Sequence, residues 1–163
     1  MRVYLPATIG MLRKLVAEGK LHPLGGTGFA LTPALRESYV SGSTEELEYA
    51  ALADAARASL RLLADDEKEL SRRVVIAADV DEVTIRPDLD AAVVKVAGPV
   101  VFADVAAVHV DASEAEEAVR SAAAVIDAAD LGDPDAEFAL GDAEDHELAW
   151  YAPQELPFLL ELL

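Results

Sequence analysis

The sequence predicts an α+β fold: a single domain with a mostly antiparallel mixed sheet of about five or six strands and four or five helices packed on it. Three observations carry this. The 163 residues suit one domain with its own core. Helical periodicity with hydroxyl caps is interspersed with short continuous runs of Val, Ile and Ala. The gaps between the three clearest strands are too short for helical crossovers, so antiparallel pairing is the economical arrangement. Of the 53% hydrophobic residues, 32 are Ala. Elements must therefore approach closely rather than interlock through large side chains.

Taken in order, Val3-Tyr-Leu reads as a first strand. Thr8 caps a helix that turns Ile9, Leu12, Leu15 and Val16 to one face, and Gly19 stands where a C′ glycine ends it. Leu21-His-Pro-Leu-Gly-Gly-Thr-Gly is a loop by its Pro and Gly content, and Phe29-Ala-Leu is a short strand. Thr32-Pro33 opens a helix, hydroxyl cap first and Pro at N1, that runs to Gly42. Ser43 and Glu46 form a capping box for a helix reaching about Leu63, whose stripe is Leu47, Ala51, Ala55, Ala58 and Leu62. Asp65–Glu69 is a charged connector.

Arg73–Val80 reads as a central strand because its apolar run is continuous. Ala91–Ala97 is another, ended by Gly98-Pro99, and Ala107–Asp111 is a third, with room for one turn at 103–106. Ser113 and Glu116 form a second capping box, opening a helix to about Ala129. Residues 130–146 read as an acidic loop with a short ordered piece at Glu137–Leu140. Glu147–Tyr151 is a last strand and Pro153–Leu163 a closing helix. The stretch 142–163 is thus a clasp that completes the core, with an acidic lip.

Charge is the most uneven feature. Residues 1–73 carry ten basic and ten acidic side chains, whereas residues 74–163 carry three basic and twenty-one acidic, so the net −18 lies in the second part. Such a surface repels phosphate backbones and anionic lipid, which argues against nucleic acid and membranes as partners. The absence of Cys excludes disulfides and Cys-ligated zinc. No apolar run approaches the ~20 residues of a membrane helix, and the first residues lack the layout of a signal peptide. A cytoplasmic protein is expected.

Several chemistries are raised by the sequence and set aside by it. Gly25-Gly-Thr-Gly is either an anion-binding turn or a plain tight turn. It matches neither the dinucleotide fingerprint, since Leu31 replaces the third Gly, nor a phosphate loop. Asp133, Asp135, Glu137 and Glu144 have calcium-loop spacing, but Phe138 stands where the turn needs Gly. His146-Glu147 begins like a zincin, yet Trp150 replaces the second His. His109, inside Val108-His-Val, is expected to face the opposite side of the sheet from its neighbours. No metal site or cofactor is therefore expected. The candidate ligand-binding residues lie in the neutral part: Arg36, Glu48 and Tyr49, with Tyr39, Arg57 and Arg61 nearby on the same mostly apolar helices. An Arg so placed can clamp a carboxylate or phosphate with two hydrogen bonds.

Six segments, Met1–Thr8, Gly28–Arg36, Glu46–Ala51, Arg72-Arg-Val-Val, Val108-His-Val-Asp and the closing Trp150-Tyr151, resemble those of a family of uncharacterised actinobacterial proteins. That family is a domain of unknown function of about this length, and the resemblance implies no activity. Val3–Leu5, Ile9–Gly19 and Gly28-Phe-Ala-Leu also resemble the opening of the ADP-ribosyltransferase-like fold, although Pro6-Ala-Thr replaces its nicotinamide-contacting His. Trp150–Leu156 is similar to the strand-to-helix turn that closes Nudix hydrolases, without their catalytic box. Two functional expectations follow. One is a small cytoplasmic acidic domain that binds or regulates a protein partner or small ligand. The other is an enzyme of ADP-ribosyltransferase-like fold, or another transferase or hydrolase, acting through Arg36, Glu48 and Tyr49 on a nucleotide-like or phosphorylated substrate.

Overall fold

Strand β1 (Arg2–Ala7) is the strand on which the protein is assembled. The period of two sends Val3, Leu5 and Ala7 to one face and Tyr4 to the other. A computed structural model describes residues 1–163. On one side of β1 lies β4 (Val74–Asp79), paired from Arg2↔Asp79 to Ala7↔Val74; on the other lies β3 (Thr27–Phe29). Beyond β4 come β8 (Val105–Val110) and β9 (Ala149–Tyr151). Beyond β3 come β6 (Val93–Val96) and β5 (Val83–Ile85). The order is β5-β6-β3-β1-β4-β8-β9, and every neighbouring pair is antiparallel. Two further short strands, β2 (Lys20–Leu21) and β7 (Val100–Val101), form a separate ribbon. The sheet thus has one strand more than the upper expectation of six, and no parallel pair makes it mixed.

Helix α1 (Ile9–Glu18) starts and ends as expected. The Thr8 side chain accepts from the Met11 amide, and Gly19 ends the helix in the left-handed region at φ 76°. With α7 (Leu156–Glu161) it covers one sheet face, where Leu12, Leu15, Leu156, Leu159 and Leu160 pack on Leu5, Ile76 and Val108. Helix α2 (Pro33–Glu37) has the expected Thr32 cap and Pro33, but it ends at Glu37 rather than Gly42. Helix α3 (Thr44–Ala64), capped by Ser43, covers the other face. There Ala51, Ala55 and Ala56 meet Tyr4, Val75, Ala77 and Ala107, the close approach that an Ala-rich composition requires.

The second capping box does not form. Residues Ser113–Ala115 make one 3-10 turn, and α4 (Glu116–Ala124) is broken from α5 (Ile126–Asp130) at Val125. The expected acidic loop is also corrected, because most of it is helix α6 (Pro134–Glu144). Asp133 caps it, accepting from the Asp135 and Ala136 amides, and Pro134 takes N1, the same start as Thr32-Pro33. Its inward residues Ala136, Leu140 and Ala143 join Leu60, Leu63, Val119 and Ile126 in a third apolar cluster beside α3. No helix is long and apolar enough to cross a membrane.

Gly25 and Gly26, at φ 65° and 69°, make the turn between β2 and β3. The Lys95 ammonium donates to the Gly25 carbonyl at 3.1 Å and to Thr27 Oγ1 at 2.7 Å. The turn therefore presents oxygen atoms to a cation, the opposite polarity from an anion nest.

Candidate functional site

Helix α3, strand β8 and the segment joining α6 to β9 do not meet flush, and a cleft of about 540 Å³ remains between them. Its apolar floor comes from Leu52, Ala56 and Leu60 of α3 and from Leu148. Tyr49, 61% exposed, stands at the rim. The polar lining is Asp54 and Arg57 from α3, Arg73, His109 from β8, and Glu144, His146 and Glu147 from the connecting segment. His109 faces this side of the sheet while Val108 and Val110 are buried on the other, as its position in the run predicts.

One wall of the cleft is fixed by a buried ion pair. Arg73, just ahead of β4, and Asp111, just after β8, are 3% and 1% exposed. The Arg73 Nε donates to Asp111 Oδ2 and its Nη2 to Oδ1, both at 2.8 Å, the two-pronged geometry that suits a guanidinium. The Arg73 amide also donates to Oδ2, at 2.8 Å. The same Nη2 donates to the carbonyls of Ala143 at 2.9 Å and His146 at 2.8 Å. These lie at and just past the C-terminal end of α6, where a cation is favourable, and the Ala143 carbonyl also accepts from the His146 amide at 3.0 Å. One side chain therefore joins two neighbouring strands to the segment that leads into β9.

The other cations of the region are also engaged. Arg57 Nη2 donates to Asp130 at 3.0 Å and Glu137 at 3.2 Å, and Arg61 Nε donates to Asp130 at 2.8 Å. Hydrogen bonds from Arg61, then Arg57, hold the Asp130 carboxyl down at about 2. His109 has its pKa lowered by burial, so it adds little positive charge near neutrality. Asp54 is different. Half-buried on α3, it has neither a hydrogen bond nor an ion pair among the side-chain interactions of the chain. Its pKa is raised, mainly by desolvation and then by Asp90, against a partial opposing pull from Arg61 and Arg57. Glu144 and Glu147 also line the cleft, and Arg57 and Arg61, already bonded to Asp130, offset the Asp54 charge only in part.

The sequence-predicted residues are only partly gathered here. Tyr49 lines the cleft. Glu48, its neighbour, turns toward the sheet and accepts from the Tyr4 hydroxyl at 3.1 Å. Desolvation, with Glu48 beside it, pushes that Tyr4 hydroxyl up to about 12. Arg36 is exposed on α2, where its Nη2 donates to Thr44 Oγ1 at 3.3 Å, outside the cleft. Asp54 was open to notice as a lone carboxylate within the run Leu52-Ala-Asp-Ala-Ala56. Arg73 and Asp111 became a pair only once β4 and β8 were known to be neighbours.

A second, shallower depression of about 480 Å³ lies between α4 and α6. Glu114 and Glu117 line one side, Asp142 and Asp145 the other, and His146 is shared with the main cleft. No group of three His, Asp or Glu side chains is arranged to hold a metal ion. Comparison with curated proteins and with solved structures finds no match in either. The family model matches over nearly the full length, residues 1–160, and the chain belongs to the family of unknown function DUF6912.

Proposed function

We propose that this chain is a binding domain, and that its cleft between α3 and the α6–β9 segment receives a positively charged group. That group belongs either to a small amine or guanidine or to a side chain of a protein partner. The observation that carries the reading is Asp54, a half-buried carboxylate without a partner above an apolar floor. An arriving cation supplies the interaction that burial took from it, while the stem of the ligand rests on Leu52 and Leu148. Tyr49 at the rim offers a ring face to the same charge.

The alternative, an enzyme acting on a nucleotide-like or phosphorylated substrate through Arg36, Glu48 and Tyr49, has less support. Arg36 lies outside the cleft and Glu48 is held by Tyr4. Arg57 and Arg61, the cations that an anion would seek, already hold carboxylates.

A thermal-shift series separates the two. One arm uses arginine amide and spermidine; the other uses nucleotides, NAD and sugar phosphates. A ligand at a hundred times its Kd adds about 2.7 kcal/mol, or roughly 5–11 °C for a chain of this size. The proposal expects a shift with the cations that Asp54→Asn removes. A shift confined to the anionic arm, and lost in Arg36→Ala, would reverse the assignment.

A further inference from the structure

The register of the sheet decides which backbone groups of β9 face outward. The Asp111 amide donates to the Arg73 carbonyl at 3.1 Å, so these two residues turn their backbone groups toward each other. The Val74 amide turns the other way, toward β1, where the Ser59 hydroxyl receives it at 3.2 Å. Backbone direction alternates along a strand, so Val108 and Val110 of β8 point their groups at β9. Their partners are Tyr151 and Ala149. Trp150, opposite His109, is therefore the non-bonded pair, and its own amide and carbonyl point away from the sheet. By the same alternation so do those of Leu148. The next outward amide, Ala152, is already satisfied by Glu155 Oε1 at 2.9 Å. Since β9 ends the strand order, this edge has no neighbour.

The segment and helices leading to that edge are acidic. Asp54, Glu144 and Glu147 lie in the cleft, Asp142 and Asp145 in the second depression, and His146 joins the two at the foot of β9. Trp150 pairs with His109 and so lies on the cleft side of the sheet, and the residue is 60% exposed. The edge is short, three residues, and Pro153 follows it, but its centre carries an exposed indole where a shielding Lys would ordinarily stand. A second copy of the chain is disfavoured as the occupant, because its own β9 would bring the same negative charge.

We infer that the β9 edge is a docking strand for an extended, basic segment of a partner protein, which adds to the sheet by pairing with Trp150 and Leu148. This rests on the cleft reading for the sign of the partner's charge. Strand addition places alternate side chains of the incoming segment on the cleft side, about 4.8 Å beyond Trp150. A Lys or Arg there lies over the indole and reaches toward the acidic cleft. Backbone pairing supplies affinity, and the alternation of basic residues supplies specificity.

Trp150 is the only tryptophan of the chain, so its fluorescence reports this edge alone. The probe is a short synthetic peptide of alternating Lys and Val, titrated into the full chain at low salt. Two controls accompany it: an alternating Glu–Val peptide, and the Lys–Val peptide methylated on every backbone nitrogen, which leaves no donor in either strand orientation. The inference expects saturable binding of the Lys–Val peptide, none of the Glu–Val peptide, and at least about tenfold weaker binding after methylation, since methylation removes the donors that pair with β9. Equal binding of the methylated peptide would overturn strand addition, and a cation-induced thermal shift would leave the cleft reading standing. Methylation-sensitive binding that ignores Asp54→Asn would keep the edge and sink the cleft. Binding of neither peptide nor small cation would overturn both.

Discussion

Replacing Arg73 by Met preserves length and removes the guanidinium on which the cleft wall depends. The consequence follows from the contacts. Asp111 is left 1% exposed without its cation, and the carbonyls of Ala143 and His146 lose their shared donor. Breaking a buried pair from one side costs about 3–5 kcal/mol, because the remaining charge stays desolvated. For a chain of this length that lowers Tm by about 6–20 °C. Urea unfolding and calorimetry on the same preparations measure it. The double variant Arg73→Met/Asp111→Leu should recover much of the loss, since apolar side chains of similar volume replace buried ion pairs at little cost. Because the lost bonds also hold the α6–β9 segment, the single variant should bind the cations and the Lys–Val peptide more weakly even where it remains folded. A loss below about 1 kcal/mol, with no gain in the double variant, would refute the ion pair as the anchor of this wall.

Three further outcomes follow. Asp54→Asn removes a desolvated charge that has no partner, so the ligand-free protein should melt at a higher temperature while its affinity for cations falls; a lower Tm would contradict the account of Asp54. Asp130, held at about 2 by Arg61 and Arg57, has a folded pKa below its unfolded 3.8, so its stabilisation is complete above the unfolded value and is lost as pH falls through the folded one. The stability difference between wild type and Asp130→Asn should shrink over that window in an acid titration followed by circular dichroism. Gly28→Ala places a Cβ 2.5 Å from Val3 Cγ1 and 3.1 Å from Leu5 Cδ2, both fully buried, and should cost about 1–3 kcal/mol in urea unfolding.

The helix starts legible in the sequence are those in which one residue's chemistry decides the matter. Thr8, Thr32-Pro33 and Ser43 each satisfy an orphan amide of a first turn, and Gly19 takes a left-handed conformation that other residues resist. Strand β4 was legible from its continuous apolar run, and β1 from Val3-Tyr-Leu, for a similarly local reason. Asp133-Pro134 carried the same start signal, but the acidic residues around it masked an inward stripe made mostly of Ala. Strands β2, β5 and β7 are two or three residues long and exist because a partner strand lies beside them, which no local pattern records. The site was less legible. Residue type alone favoured Arg36, Glu48 and Tyr49, and only Tyr49 reaches the cleft. Arg72-Arg-Val-Val and Val108-His-Val-Asp are separate segments in the sequence, and the sheet register is what turns Arg73 and Asp111 into one feature.

The most direct test of the binding reading is a calorimetric titration of arginine amide into the wild-type chain and into Asp54→Asn. The reading predicts one site per chain in the wild type and an affinity at least about tenfold weaker in the variant, as expected for loss of a charge-assisted hydrogen bond. Equal affinities in the two proteins, or no heat in either, would contradict it.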